Sequence, residues 1–240
     1  MTKYNSLIKE IEGMEDKKKS KILARFFKTG KGEYGEGDLF LGITVPESRK
    51  LARKYGELAL SDVQKLLRDK YHEIRLIALL ILVHKYQTSA RKVLAEKKKI
   101  VDFYLKNTKY INNWDLVDLS AHYIIGNFLF EHQNFARTVL AKLSKSKDLW
   151  ERRIAIVSTF AFIYKGESKW TFNITKILMN DKHNLIHKAC GWMLREVGKR
   201  VSEKELSGFL NSYSQKMPRT MLRYAIERLP ENRRLYYLNK

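Results

Sequence analysis

Apolar residues recur at helical spacing along almost the whole chain, which predicts a protein built from successive α-helices. The stretch from residue 3 to 28 predicts two helices. Further helices are predicted near 46–56, 61–69, 72–86, 89–105, 114–130, 133–144, 149–164, 170–180, 183–198, 202–211 and 218–228. No alternating strand pattern of useful length appears, and the three prolines stand at expected helix ends. The predicted fold class is therefore all-α.

The segment from 29 to 42 breaks this pattern, because five of the twelve glycines fall between Gly30 and Gly42. Within it, Gly30 to Gly35 formally match the dinucleotide-binding pattern G-x-G-x-x-G. That pattern needs a preceding strand and must open a helix, whereas here a basic helix precedes it and no βαβ pattern follows. We interpret residues 29–42 as a loop and expect no nucleotide cofactor.

A charged residue recurs just ahead of five of the apolar helices, at spacings of 43, 35, 35 and 35 residues. These residues are Arg75, Asp118, Arg153, Lys188 and Arg223. Two helices per period of this length predict a HEAT-like helical-repeat solenoid, an α-α superhelix, as a single domain over 1–240 with its repeats at 46–230. The cations could line a concave basic groove, or they could make ion pairs and helix caps between repeats. Asp118 alone has the opposite sign.

The charge balance indicates a polyanionic partner. Lys and Arg number 47 against 26 Asp and Glu, which gives a formal net charge of +21. Neutralising phosphates releases condensed counterions, so this excess favours nucleic acid. No apolar run could span a bilayer, no secretory signal is evident, and the single cysteine, Cys190, cannot form an internal disulfide. We expect a cytoplasmic protein that does not associate with membranes.

Metal chemistry has little support in the sequence. Of the six histidines, His183 and His187 stand at i and i+4 and could share a helix face. They lack the glutamate of the H-E-x-x-H motif and an evident third ligand. We therefore predict no metal site, and a solvated or phosphate-facing pair is the preferred interpretation.

Three of the four tryptophans lie within one helical turn of the recurring charged row. The pairs are Trp114 with Asp118, Trp150 with Arg153, and Trp192 with Lys188. Structural packing is the alternative for each tryptophan, and it is the preferred interpretation for Trp170. Aromatic faces beside a carboxylate would form a site that prefers a cation.

Five segments of the chain resemble, in order and spacing, the AlkD-type DNA alkylation-repair glycosylases. They are LFLGI with PESR at 39–49, WDLVD at 114–118, LWERR at 149–153, KACGWMLRE at 188–196 and MPRTMLRYAI at 217–226. The resemblance implies a HEAT-like fold and excision of cationic, ring-alkylated purines, such as 3-methyladenine and 7-methylguanine, from duplex DNA. Such excision leaves an abasic site.

Carried over by position, the resemblance makes Asp118 the essential carboxylate, with Trp114 and Trp192 as its aromatic walls and Arg153 as a phosphate-binding neighbour. Phe26 stands where family members can carry a tyrosine that touches DNA, so a hydroxyl is lost and an apolar contact is kept. We expect DNA contacts from six side chains: Phe26, Arg49, Trp150, Arg153, Lys188 and Arg195.

These residue types suit hydrolysis of an N-glycosidic bond. An alkylated purine cation departs neutral, so no general acid is needed, and a fixed carboxylate stabilises the positive charge that develops on the sugar. We therefore expect a monofunctional, monomeric glycosylase that acts on double-stranded DNA without a cofactor. The alternatives are a non-catalytic helical-repeat protein that binds DNA structures and a scaffold for an acidic protein partner.

Overall fold

The computed structural model describes residues 1–88 and 94–240, and over these residues the chain is all-α, as predicted. One isolated parallel β-bridge, between Leu39 and Tyr71, is the sole strand-like pairing within those ranges. The contacts divide the chain into two compact units, Met1–Ser120 and Ala121–Lys240. That the whole chain forms one domain stays a prediction.

The first unit contains seven α-helices in its described part, with a 3₁₀ turn at Thr108–Tyr110 before the last of them. The helices are α1 (Lys3–Glu12), α2 (Lys17–Phe26), α3 (Val45–Lys54), α4 (Leu60–Leu67), α5 (His72–Thr88), α6 (Leu94–Lys106) and α7 (Trp114–Asp118).

The second unit opens with a π-helical turn at His122–Gly126 and has a 3₁₀ turn at Ser214–Lys216. Its helices are α8 (Asn127–Glu131), α9 (Gln133–Ser144), α10 (Leu149–Ser158), α11 (Phe160–Tyr164), α12 (Lys169–Leu178), α13 (Asn184–Arg200), α14 (Glu203–Tyr213), α15 (Arg219–Ala225) and α16 (Glu231–Asn239).

Two predictions of a single continuous helix are wrong, because the structure interrupts each of these helices. The helix predicted at 114–130 ends as α7, and a turn separates it from the π-helical turn and α8. The hydroxyl of Ser120 donates to the carbonyl of Leu116, a local bond that competes with the regular helix. The helix predicted at 149–164 divides into α10 and α11 at Thr159, whose hydroxyl donates to a carbonyl three residues earlier.

The remaining predictions agree with the structure to within a few residues, except at the C-terminus. Helix α16 was not predicted, because its apolar residues are consecutive rather than periodic and only Tyr237 among them is buried. The first five residues of the helix predicted at 89–105 lie outside the described residues, and α6 accounts for the rest.

The glycine-rich segment forms no helix between α2 and α3, as predicted, and it packs against the start of α2. Gly42 has a φ of +90°, and a Cβ atom there would lie 2.3 Å from the carbonyl oxygen of Asp16. The side chain of Asp16 in turn accepts hydrogen bonds from the first amides of α2. Only glycine fits this position, because it combines a left-handed backbone with a close approach of another chain segment.

Helix α5 forms the centre of the first unit, since every residue from Ile74 to Val83 is buried. Its first turn is buried as well, although it carries the charged or titratable residues His72, Glu73 and Arg75. Buried charges need partners, so this turn determines what packs around it. No helix in the described ranges is both long and apolar enough to cross a membrane.

Candidate functional site

Helix α7 is only five residues long, and its start is fixed by the residue before it. The side-chain oxygen of Asn113 accepts a hydrogen bond from the Trp114 amide at 2.8 Å, and its side-chain nitrogen donates to Asp38 at 3.3 Å. So short a helix is marginal in isolation, which means that its geometry depends on such tertiary contacts. Trp114 and Asp118 stand at its two ends, one helical turn apart.

Trp114 and Asp118 line the same cavity of about 530 Å³ in the first unit. Most of its walls are apolar or aromatic, and the acidic groups that reach it are Glu73, Asp115 and Asp118. The apolar lining comes from Leu23, Phe26, Phe27, Phe40, Ile43, Val45, Pro46, Leu76, Trp114 and Leu119. A mostly apolar cavity with a few converging polar groups is the usual form of a ligand site.

The aromatic wall of the cavity is a packed group of rings around Trp114. The indole is nearly parallel to Phe27, with the ring centroids 5.3 Å apart, and edge-to-face with Phe26 at 6.0 Å. Phe27 also stacks on Phe40 at 5.1 Å. Phe26 is 61% exposed, so it covers the indole at the surface, while Phe27 and Phe40 are buried beneath. The indole is therefore fixed by contacts on two sides.

Asp118 is half-buried at the end of α7. Nearby, Tyr104 is fully buried, and its hydroxyl lies 2.9 Å from the hydroxyl of Ser120. Burial raises the pKa of the Tyr104 phenol well above its usual range, and the negative charge of Asp118 raises it further. The phenol therefore stays neutral beside this carboxylate.

Beneath the cavity lies a buried charge network centred on His72. Its Nδ1 is 3.1 Å from the carboxylate of Asp38, and its Nε2 is 2.8 Å from the carboxylate of Asp115. Arg75 donates to the other oxygen of Asp38 at 2.6 Å. Burial alone would lower the pKa of His72, but the two carboxylates outweigh it and raise the pKa to about 9. At neutral pH the imidazole is therefore charged, and both of its nitrogens donate.

Glu73, the next residue on α5, holds the backbone segment that contributes Ile43 to the cavity lining. Its carboxylate accepts hydrogen bonds from three consecutive backbone amides, those of Leu41, Gly42 and Ile43, at 2.9 to 3.3 Å. Hydrogen bonds from backbone amides to a carboxylate are stronger than neutral ones. The glycine-rich segment is thereby tied to the first turn of α5 at the point where it leads into α3.

Trp192 lies in the second unit, on α13, where it is half-buried. Its ring is 5.6 Å from that of Phe160. The guanidinium of Arg200 lies 5.6 Å from the same phenylalanine ring and 4.5 Å from the ring of Tyr164. Trp192 therefore belongs to an aromatic cluster in which Arg200 makes cation–π contacts with Phe160 and Tyr164.

Two members of the predicted cation row, Arg75 and Arg153, are buried. Arg75 pairs with Asp38, and Arg153 donates to the carbonyl of Leu185 at 2.7 Å. Both side chains are therefore packed and hydrogen-bonded within the protein, and the expected contact of Arg153 with DNA stays a prediction. Trp150, at the start of α10, is buried as well.

The other cations expected to touch DNA are Arg49, Lys188 and Arg195. Arg49 on α3 and Lys188 on α13 are half-buried. Arg195 pairs with Glu196 and Glu227. Their contacts with DNA stay predictions.

Sequence patterns did not reveal the buried network formed by Asp38, His72, Arg75 and Asp115. Its members come from a loop, from the start of α5 and from α7, and the residues of each hydrogen-bonded pair are 34 to 43 positions apart along the chain. A signal was present at 72–75, where a histidine and two charged residues open an otherwise apolar helix. In the parts of the chain that the structure describes, no group of three or more histidine, cysteine or acidic side chains could hold a metal ion.

Comparison with known proteins gives a family and a similar fold. A family profile described as DNA alkylation repair enzyme matches residues 7–229. Among solved structures, the chain is similar to a predicted DNA alkylation repair enzyme from Enterococcus faecalis. That similarity has a TM-score of 0.70 and 16% sequence identity, and it covers 91% of this chain and 98% of that one.

At this identity the solved structure shows a shared fold alone. No curated protein matches the chain. The family profile, in contrast, spans nearly all of the sequence, from the first helix to the residue before the last proline. The chain therefore belongs to the family of DNA alkylation repair enzymes.

Proposed function

We propose that the protein is a monofunctional DNA glycosylase that hydrolyses the N-glycosidic bond of cationic, ring-alkylated purines in duplex DNA and leaves an abasic site. Family membership supports a role in alkylation repair. The observation that carries the finer proposal is that Asp118 and Trp114 line one cavity with a packed group of phenylalanines.

The reaction needs little acid catalysis, because alkylation of a ring nitrogen gives the purine a positive charge. When the glycosidic bond breaks, the base takes the bonding electrons and departs neutral. Positive charge then develops on the deoxyribose, and water adds to the anomeric carbon and loses a proton. An enzyme gains most by stabilising charge where it develops in the transition state.

Asp118 is the residue that supplies this stabilisation in our proposal. Its carboxylate would stabilise the electron-poor sugar and hold the attacking water. Lowered access to bulk water strengthens such an interaction, and Asp118 is half-buried in a largely apolar cavity. The carboxylate thus acts by charge and position.

Trp114 supplies an aromatic face for the cationic nucleotide. A cation within about 6 Å of an indole is attracted by the ring quadrupole by roughly 0.5–2 kcal/mol, and tryptophan is the strongest of the aromatic residues in this role. Phe27 holds the indole from behind in a nearly parallel stack. The roles of Trp192 as an aromatic wall and of Arg153 as a phosphate neighbour enter the proposal through the family resemblance alone.

The net charge of +21 supports duplex DNA as the partner. We expect the binding constant for duplex DNA to fall steeply, with a linear dependence of log K on log salt concentration, between low and physiological salt. Fluorescence anisotropy of a labelled duplex measures this dependence. A flat response would exclude phosphate-driven binding and favour a scaffold for a protein partner.

The decisive experiment is release of 3-methyladenine or 7-methylguanine from methylated duplex DNA under single-turnover conditions. We expect release by the parent protein and a loss of roughly 100-fold or more in Asp118→Asn, since this change removes the charge and keeps the shape. Asp102→Asn is the matched control, because Asp102 is a half-exposed acid of α6 paired with Lys98 and does not line the cavity. Its rate should equal that of the parent.

Two other outcomes identify the alternatives. Salt-dependent DNA binding without base release by the parent would identify a non-catalytic protein that binds DNA structures. Base release by Asp118→Asn at the parental rate would show that the carboxylate has another role, such as packing at the end of α7.

A further inference from the structure

Two adjacent residues in the first turn of α5 hold two separate parts of the cavity lining. Glu73 binds the amides of the segment that leads into α3, and His72 binds Asp115 on α7. The ring of His72 also packs between Phe40, at 4.7 Å, and Phe27, at 4.9 Å. The imidazole of His72 therefore contacts both the phenylalanines of the aromatic wall and the carboxylate of Asp115.

Asp115 depends strongly on His72. Its Oδ2 lies 2.8 Å from the imidazole, and its Oδ1 is buried without a hydrogen-bond partner among the described residues. A buried carboxylate with one unsatisfied oxygen is costly unless a charged partner compensates it. The histidine supplies that charge, and Asp115 is the residue next to Trp114 on α7.

We propose that His72 is a positioning residue that donates from both ring nitrogens, to Asp38 and to Asp115, and so holds Trp114 and Asp118 of α7 in place against the aromatic wall. The consequence for base release rests on the proposed function, whereas the consequence for the geometry of α7 does not.

The arrangement requires a protonated ring. A neutral imidazole has one N–H group and one lone pair, so after deprotonation the lone pair would face one of the two carboxylates. The charged groups that face the ring are Asp38 from the glycine-rich segment and Asp115 from α7. On α5, Arg75 pairs with Asp38, and Glu73 binds the backbone amides of 41–43. Because the pKa of His72 is raised to about 9, the ring is charged at neutral pH and neutral near pH 10.

The geometric part of the proposal is tested by NMR on the full chain labelled with ¹⁵N-tryptophan, which has four indole signals. The Trp114 signal, assigned with Trp114→Phe, should move between pH 7 and pH 10 with a midpoint near 9. His72→Gln keeps a donor for Asp115 but does not titrate, so this movement should disappear. His84→Gln, on the same helix, is the control and should keep it.

Asp115→Asn gives an independent variant with little change of shape. Asp115 is the strongest cause that raises the pKa of His72, so its neutralisation should lower the midpoint of the Trp114 transition below that of the parent. This variant decides the question if His72→Gln does not fold, as judged by circular dichroism. A merely structural role for the pair would not move a midpoint.

The functional part is tested by single-turnover base release at pH 7.5, well below the pH at which DNA bases lose protons. His72→Gln should be slower than the parent by roughly ten- to a hundredfold, because small displacements of catalytic groups cost this much. His84→Gln should match the parent.

The outcomes separate this proposal from the proposed function. A Trp114 signal that does not move with pH in the parent, or that still moves in His72→Gln, overturns the positioning role. A parental release rate in His72→Gln overturns its importance for the reaction. If the parent releases no base, the proposed function fails, and the NMR result alone still decides whether His72 positions α7.

Discussion

The indole of Trp114 and the ring of Phe27 lie nearly parallel, with their centroids 5.3 Å apart and 20° between their planes. Phe27 is buried and packs in turn on Phe40 and His72. The exposed face of the candidate site is therefore backed by a rigid aromatic layer that reaches to the first turn of α5. This relationship links the cavity to the buried charge network.

Replacing the indole should reduce base release according to the strength of the remaining cation–π contact. We expect Trp114→Phe to be slower than the parent by roughly three- to tenfold and Trp114→Leu by more, because leucine keeps apolar volume and has no π-face. Single-turnover release from a duplex with a defined cationic lesion measures the rates. Trp170→Leu, which changes an indole of the second unit, is the control. Equal rates for Trp114→Phe and Trp114→Leu would exclude an aromatic role.

The stability of the protein should fall as the pH rises from about 6.5 to 9. The pKa of His72 is raised above its value in an unfolded chain, so the folded state binds a proton that the unfolded state releases over this range. The stabilisation is fully present below pH 6.5 and is lost by about pH 9, with an upper magnitude of about 3 kcal/mol. Urea unfolding at several pH values measures it. His72→Gln should flatten this dependence, and an unchanged slope would contradict the prediction.

Neutralising Glu73 should destabilise the first unit, because its carboxylate accepts from three backbone amides in a buried position. In Glu73→Gln one oxygen is replaced by an amide donor that cannot accept these bonds. We expect a loss of about 1–3 kcal/mol in the free energy of unfolding, measured by urea denaturation. Glu57→Gln removes the same charge from an exposed position and should change the stability little. Equal effects of the two substitutions would argue against a stabilising role for the hydrogen bonds between Glu73 and the three amides.

Alanine substitutions at Gly42 and Gly37 should distinguish the cost of a left-handed backbone from the cost of a steric clash. Both have positive φ, of +90° and +86°, but a Cβ atom at Gly37 would meet nothing within 4 Å, whereas at Gly42 it would lie 2.3 Å from a backbone oxygen. We expect Gly37→Ala to cost about 1–2 kcal/mol of stability from the left-handed backbone alone. Gly42→Ala should cost clearly more in the same denaturation experiment. A cost at Gly42 no larger than at Gly37 would mean that the segment moves away from α2 easily.

The helical part of the fold could be predicted from the sequence because its signal is local. Buried positions recur at helical spacing in most elements, so the number and order of the predicted helices largely agree with the structure. The break after Asp118 could not be predicted in this way. Apolar spacing continues through Leu119 to Ile124, and the helix is interrupted by local hydrogen bonds that leave this periodicity intact.

The candidate site likewise has a part that could be predicted from the sequence and a part that could not. The spacing of Trp114 and Asp118 on one helical turn is a local property, and both residues do line one cavity. The partners of Asp115 are not local, since His72 and Asp38 come from other segments and meet only after α5 packs. The regular spacing of the charged residues also could not distinguish a cation that faces solvent from one such as Arg75, which is buried against Asp38.

The shortness of α7 has a consequence for protein engineering. Five residues with a single side-chain cap do not form a helix on their own, so a peptide with the sequence of 113–118 would not keep Trp114 and Asp118 in register. Transplanting this pair into another scaffold would require the first turn of α5 and the 38–43 segment to be grafted with it, as one unit.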